Sequence, residues 1–188
     1  MERTVQIGVL ALQGDFREHA DVLRALGAEV VEVRLRRDLD GLDGLVVPGG
    51  ESTTIMKLAR LYGLDDAIRD YPGPIFGTCA GMIVLDREHL GLADVEVDRN
   101  AYGRQVKSFE ADVELRGEAS PMRGVFIRAP RIRELGLDVE VLGEFDGGPV
   151  LVRDGRFLLA AFHPELTDDP RVHELFLAMV EEEARVRA

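Results

Sequence analysis

Hydrophobic residues change their rhythm part-way along this chain. Residues 5–12 form an almost unbroken apolar, β-rich run that Gly14 ends. Such a run suits a strand covered on both faces, because neither face needs a polar residue. Asp15 is placed to cap a helix running to about Leu26, with Gly27 as its stop. Residues 29–35 and 44–47 predict two further strands, the latter closing on Pro48-Gly49-Gly50. Ser52 or Thr53 can cap a helix through Leu61, and a second helical piece spans about 64–69. Residues 74–76 predict a short buried strand that enters Gly77-Thr78-Cys79-Ala80-Gly81, with a helix from Ala80 to about Leu85. This alternation predicts an α/β fold with an open, mostly parallel sheet flanked by helices.

The second half reads differently. Short strands are expected at 106–115, 124–127, 139–142, 150–152 and 157–162, separated by Gly, Pro and Asp turns. That spacing predicts some antiparallel pairing. A closing helix over 170–185 places Val172, Leu175, Phe176, Met179 and Val180 on one face. No internal repeat, low-complexity segment or linker interrupts the chain, so residues 1–188 are expected to form one domain.

Charge and cysteine content narrow the function. Lys plus Arg is 23 and Asp plus Glu is 35, a formal net charge of −12. That argues against general nucleic-acid binding and against docking on anionic lipid, both of which rely on cationic contacts. Cys79 is the one cysteine, so no intramolecular disulfide or Cys-based zinc cluster can form. No apolar run approaches the roughly 18 residues of a membrane span. Met1 to Thr4 lack a signal-peptide layout, and the expected location is cytoplasmic. Of the basic residues, 21 are Arg, and Asn and Gln are scarce. A hot habitat and a GC-rich genome both produce that composition.

In open α/β sheets the ligand site lies beyond the carboxyl ends of the strands. Gln13-Gly14, Pro48 to Ser52 and Gly77 to Gly81 all follow such strands. A lone cysteine is more often a small buried hydrophobe than a nucleophile. Gly-x-Cys-x-Gly at a sharp strand-to-helix turn shifts that balance. Flanking glycines relieve crowding, the helix N-terminus favours thiolate, and the Ala80 N–H can face a reacting carbonyl. A nucleophilic thiol needs a base, and the base an orienter. His19 and His173 fall in expected helices and read as surface residues, and His89 lies in a polar loop. His163 ends an apolar strand in Phe162-His163-Pro164-Glu165. In an extended segment residues i and i+2 share a face, so Glu165 can hold the imidazole tautomer while Pro164 stiffens the pair. Gly49 and Gly50 allow close backbone approach, which suits oxyanion donors or simply a tight turn before a capped helix.

On these residues the chain resembles the class I, triad-type glutamine amidotransferases, and among them the glutaminase subunits of pyridoxal 5′-phosphate synthases. The matching blocks are Gly8 to Gly14, Pro48 to Thr54, Gly77 to Ile83, Asp98 to Glu110, Phe126 to Pro130 and Phe162 to Thr167. Cys79, His163 and Glu165 mark the superfamily. Gly-Gly-Glu-Ser-Thr-Thr, Arg-Asn-x-Tyr-Gly-Arg-Gln and Phe-Ile-Arg-Ala-Pro point to the narrower group. The resemblance implies a flavodoxin-like fold, no cofactor and no metal. It implies hydrolysis of L-glutamine to L-glutamate and ammonia through a thioester on Cys79, with His163 as base and Glu165 as orienter. It places Gly50, Glu51, Ser52, Arg99, Ile127 and Arg128 around L-glutamine, and Gly49, Gly50 and Ala80 around the oxyanion. Glu51 suits the substrate ammonium and an arginine its carboxylate. The implied partner is a (β/α)8-barrel synthase subunit in a large hetero-oligomer. That subunit takes the ammonia and makes pyridoxal 5′-phosphate from a pentose phosphate and a triose phosphate, and Gln13 and Gly14 are the expected contacts. The rivals are a glutaminase of histidine or purine synthesis, a silent scaffold subunit, and a general cysteine hydrolase.

Overall fold

The structure is a computed structural model that describes residues 4–99 and 108–187. Nine strands form one sheet in the order β2-β1-β3-β4-β11-β10-β9-β6-β7. Its first half holds β1 (Gln6–Leu10), β2 (Glu29–Val33), β3 (Gly44–Val47), β4 (Ile75–Thr78) and β11 (Phe157–Ala160), all parallel neighbours. Its second half holds β10 (Gly148–Asp154), β9 (Glu140–Phe145), β6 (Phe109–Leu115) and β7 (Met122–Phe126), all antiparallel. The expected α/β sheet with antiparallel pairing in the second half is therefore what forms. The expected strand over 106–115 is seen from Phe109, and its first two positions lie outside the described residues.

Two strands escaped the pattern reading. β5 (Val95–Asp98) and β8 (Arg131–Leu135) pair antiparallel as a separate small sheet. Each alternates one buried residue with charged ones, such as Glu96 beside Val97 and Arg131 beside Ile132, so local composition reads as loop. Only the pairing across the intervening chain makes them strands.

Successive side chains of a strand point to opposite faces. On β4 this decides how the layers are filled. Phe76 faces α1 (Phe16–Ala25) and α5 (Arg171–Arg187), with its ring 5.9 Å from His19 and 5.5 Å from Phe176. Gly77 faces the other layer, where α4 (Ala80–Leu85) lies against β3, β4 and β11. α2 (Ser52–Leu61) packs beside α4, and α3 (Leu64–Asp70) against α2. All of α4 is buried, which its all-apolar sequence Ala-Gly-Met-Ile-Val-Leu permits. The antiparallel half carries its own aromatic cluster. Phe126 stacks on Phe109 at 4.8 Å and meets Phe145 and Phe162 at 5.2 and 5.6 Å. That cluster anchors the segments leading into Ile127 and His163.

Candidate active site

The carboxyl ends of β1, β3, β4 and β11 meet at one edge, as the strand order requires. Cys79 sits between β4 and α4 with φ 49° and ψ −105°, a backbone conformation that L-residues other than Gly avoid. Asp146, also at positive φ, is explained by a tight Asp-Gly hairpin between β9 and β10. Cys79 has no such excuse. Its strain is held in place because its N–H donates to the Ala160 carbonyl at 2.8 Å, locking the turn to β11. A Cβ at Gly81 would strike the Val47 carbonyl oxygen, so only glycine lets α4 pass that close to β3. The flanking glycines thus relieve crowding as their spacing around Cys79 predicts.

His163 is fixed from β7, its N–H donating to the Val125 carbonyl at 2.8 Å. Its Nδ1 lies 2.7 Å from Glu165 Oε1, and both side chains are buried. The expected pairing is present, but the extended segment invoked for it is not. Residues Pro164–Leu166 form a 3₁₀ turn with Pro164 at its first position. Proline has no N–H to lose there, and its fixed φ suits a helical turn better than a strand. Asp15 Oδ2 stands 3.3 Å from the same His163 nitrogen. Burial pushes the His163 pKa down, but the neighbouring Asp15, Cys79 and Glu165 side chains outweigh burial and hold it up to about 12. Burial also raises the Glu165 carboxyl, against the pull of His163. Cys79 Sγ lies 3.8 Å from the Ile127 carbonyl.

The glycine loop is set by three bonds. The Gly49 N–H donates to Thr78 Oγ1 at 3.1 Å, and the Gly49 carbonyl accepts from the Asp15 N–H at 3.1 Å. The Glu51 N–H donates to Gln13 Oε1 at 2.7 Å. Gly14 has φ 91°, and a Cβ there would collide with the Gly49 carbonyl oxygen, so Gln13-Gly14 and Gly49-Gly50 are pressed together. Ala80 opens α4, where a backbone N–H has no intrahelical acceptor.

Two capping expectations give way. Asp15 precedes α1 but makes no side-chain cap; its Oδ2 turns instead to His163 Nδ1 at 3.3 Å. Neither Ser52 nor Thr53 caps α2. Glu51 does, accepting from the Thr53 and Thr54 N–H groups, because the helix begins at Ser52 and leaves Glu51 in the capping position. The Thr54 hydroxyl and these N–H groups hold the Glu51 carboxyl below its usual range. Arg99 donates to Thr53 Oγ1 at 2.9 Å and stands 3.5 Å from Glu51. Ile127 and Arg128 follow β7, and Arg128 is exposed at φ 44°. Positions 100–107 of the matching block from Asp98 to Glu110 lie outside the described residues.

The largest correction concerns His19 and His173. Both are fully buried, not on the surface. His19 Nδ1 lies 2.9 Å from His173 Nε2, and His19 Nε2 lies 2.9 Å from Thr78 Oγ1. Periodicity carried the missed signal. His19 shares the inner face of α1 with Ala20 and Leu23, and His173 flanks Val172 and lies three residues before Phe176.

Asp15, His163 and Glu165 also offer atoms within 4.8 Å of one another, a spacing a metal ion could use. The imidazole lies between the two carboxylates at hydrogen-bond and ion-pair distances, so a proton accounts for the grouping.

Comparison with known proteins places this geometry in a lineage. A pyridoxal 5′-phosphate synthase subunit PdxT of Thermus thermophilus is 56% identical over 185 residues, covering 92% of this chain and 96% of that protein. The subunit of the same name from Niallia circulans is 50% identical over 188 residues, covering 95% and 99%. A crystal structure described as a glutamine amidotransferase superposes with a TM-score of 0.86 at 52% identity, covering 93% of this chain and 98% of its own. A putative GMP synthase subunit from Thermoplasma acidophilum, only 20% identical, shares the fold at a TM-score of 0.79, covering 100% of this chain and 99% of its own. No described helix is long and apolar enough to cross a membrane. The sequence profile of the SNO glutamine amidotransferase family matches residues 9–182, and the chain belongs to that family.

Proposed function

We propose that this chain is the glutaminase subunit of a pyridoxal 5′-phosphate synthase, and that it folds and works as one domain. The observation that carries the chemistry is a strained, buried thiol beside an imidazole whose Nδ1 meets a buried carboxylate. The Cys79 thiol gives its proton to His163, and the thiolate sulfur attacks the side-chain amide carbon of L-glutamine. The tetrahedral oxyanion that forms is met by backbone N–H groups of Gly49-Gly50 and of Ala80. His163 gives its proton to the departing nitrogen, so ammonia leaves and a γ-glutamyl thioester remains on Cys79. Water, losing its proton to His163, then releases L-glutamate and the free thiol. Glu165 keeps the ring oriented throughout.

The outer residues serve recognition. Glu51 and Arg99 or Arg128 match the ammonium and carboxylate of the free amino acid, which must be paired when buried. Gly50, Ser52 and Ile127 complete that wall. In this structure the Gly49 N–H is engaged by Thr78, which leaves the oxyanion donors of Gly50 and Ala80 as the readier pair. A cytoplasmic (β/α)8-barrel synthase, docking in a large hetero-oligomer over Gln13 and Gly14, would receive the ammonia without release to solvent. The identity to the PdxT subunits is the support for that partner.

Glutamate release from L-glutamine, measured with and without the cognate synthase subunit, tests the reading. Activity that needs the synthase and vanishes in Cys79→Ala is the expected result. Strong turnover without a partner would refute the docking requirement, and no turnover with it would refute the assignment.

A further inference from the structure

The triad and the loop account for the exposed face of the site, but its buried side holds polar groups that neither explains. Glu165 uses Oε1 on His163, while its Oε2 is buried and accepts no hydrogen bond of ordinary geometry among the described residues. His19 Nε2 stands 3.4 Å from that oxygen and 2.9 Å from Thr78 Oγ1. The same Thr78 oxygen accepts the Gly49 N–H. One imidazole therefore touches both the triad carboxylate and the hydroxyl that fixes the glycine loop.

Resting on the glutaminase reading above, we propose that His19 is a positioning residue. Its Nε2–H, shared between Glu165 Oε2 and Thr78 Oγ1, holds the catalytic carboxylate and the glycine loop in one register.

The proton's place follows from what each tautomer leaves unpaired. With the proton on His19 Nε2, Thr78 Oγ1 and Glu165 Oε2 both face a donor, and His19 Nδ1 accepts from His173 Nε2–H. The groups left over are His173 Nδ1, a bare acceptor buried without a partner, and the Thr78 hydroxyl proton. With the proton on His19 Nδ1, a lone pair would face the Glu165 oxygen. His173 would then bury an unsatisfied N–H, and the buried carboxylate would face a lone pair with no donor, which is the costlier arrangement for a charged group. Burial keeps both rings neutral, lowering His19 well below its ordinary value and His173 to about 4. His173 thus fixes the tautomer of His19, as Glu165 fixes that of His163. Thr78 is suited to its place because a hydroxyl oxygen can accept from Gly49 and His19 together.

Two measurements test this. In the complex with the synthase subunit, His19→Leu should lower kcat for L-glutamine about 10- to 100-fold with KM within about threefold, as loss of a positioning bond does. His19→Gln, whose amide can donate from near the Nε2 position, should recover most of that loss. Thr78→Val should fall in the same range and Thr78→Ser should not. This pair keeps the test intact if His19 variants fail to fold. Full kcat in His19→Leu and Thr78→Val, or equal loss in His19→Leu and His19→Gln at equal melting temperature, would overturn the proposal. The second measurement does not depend on turnover. Imidazole 15N shifts should show His19 protonated at Nε2 and bare at Nδ1, and the opposite tautomer would overturn the proposal. Wild-type protein that releases no glutamate would refute the glutaminase reading instead, while the tautomer result would still stand or fall by itself.

Discussion

Cys79, His163 and Glu165 are each at most 6% exposed, whereas the side chains of Glu51 and Arg99 are 50% and 40% exposed. The two groups lie on the same edge of the same sheet, yet they are held differently. Backbone bonds from Cys79 to β11 and from His163 to β7 tie the inner groups to strands, and the buried His163–Glu165 bond joins two of them. The outer groups hold one another: Glu51 caps its own helix, and Arg99 leans on Thr53 and Glu51. Bond-making chemistry needs fixed distances and a dry setting, which the core supplies. Recognition of a charged amino acid, and contact with another subunit, need groups that can let go of their present partners. The contrast predicts that inner substitutions cost turnover and outer ones cost affinity.

Glu165→Gln presses hardest on that contrast. The substitution keeps size but reverses the hydrogen-bonding character at His163 Nδ1, so the ring is offered the wrong tautomer. A fall in kcat of about 10³- to 10⁴-fold with KM for L-glutamine little changed is expected from steady-state assays. Turnover within tenfold of wild type would mean that the inner wall is not fixed by its carboxylate.

Arg99→Ala should do the reverse. Losing the charge that the proposed reading sets against the substrate carboxylate should raise KM about tenfold or more and leave kcat within a few-fold. A fall in kcat at constant KM would erase the distinction between wall and rim.

These inner and outer groups were not equally legible in the sequence. Cys79 and the His163–Glu165 pair announce themselves because each motif is complete within a few residues. Gly81 likewise reads correctly, since its close approach to β3 is a property of one turn. Glu51 was assigned to the substrate ammonium but not to the cap of α2, because Ser52 and Thr53 are the more usual caps. His19 failed for a different reason. Its contacts span 59 residues to Thr78 and 154 to His173, and no local pattern encodes contacts of that separation. β5 and β8 were lost in the same way, their charged alternate residues masking strands that exist only as a pair.

Gln13→Ala tests the outermost layer. Gln13 Oε1 accepts the Glu51 N–H, so the side chain both steadies the loop and lies beside the expected docking edge. Its loss should weaken synthase binding, followed by calorimetry, and coupled glutaminase activity by about 2- to 10-fold. Unchanged binding and activity would remove Gln13 from the interface.

The smallest effect is a slope and not a rate, and it separates two buried histidines of opposite sign. Against the opposing effect of burial, Asp15, Cys79 and Glu165 hold His163 up to about 12 in the folded protein, whereas in the unfolded chain it titrates near 6.5. Its contribution to stability is complete below the unfolded value and is lost as pH rises through the folded one. His173 is pushed by burial down to about 4. Between that value and 6.5 the unfolded chain binds a proton the native protein refuses, so this contribution is present above 6.5 and is lost as pH falls. His19, also lowered by burial, adds in the same direction. Chemical denaturation of His173→Leu at intervals from pH 7 to pH 4.5 should therefore show an acid slope shallower than wild type by about one proton. An unchanged slope would mean that His173 is not the neutral ring behind His19, and that the buried wall is less tightly specified than its distances suggest.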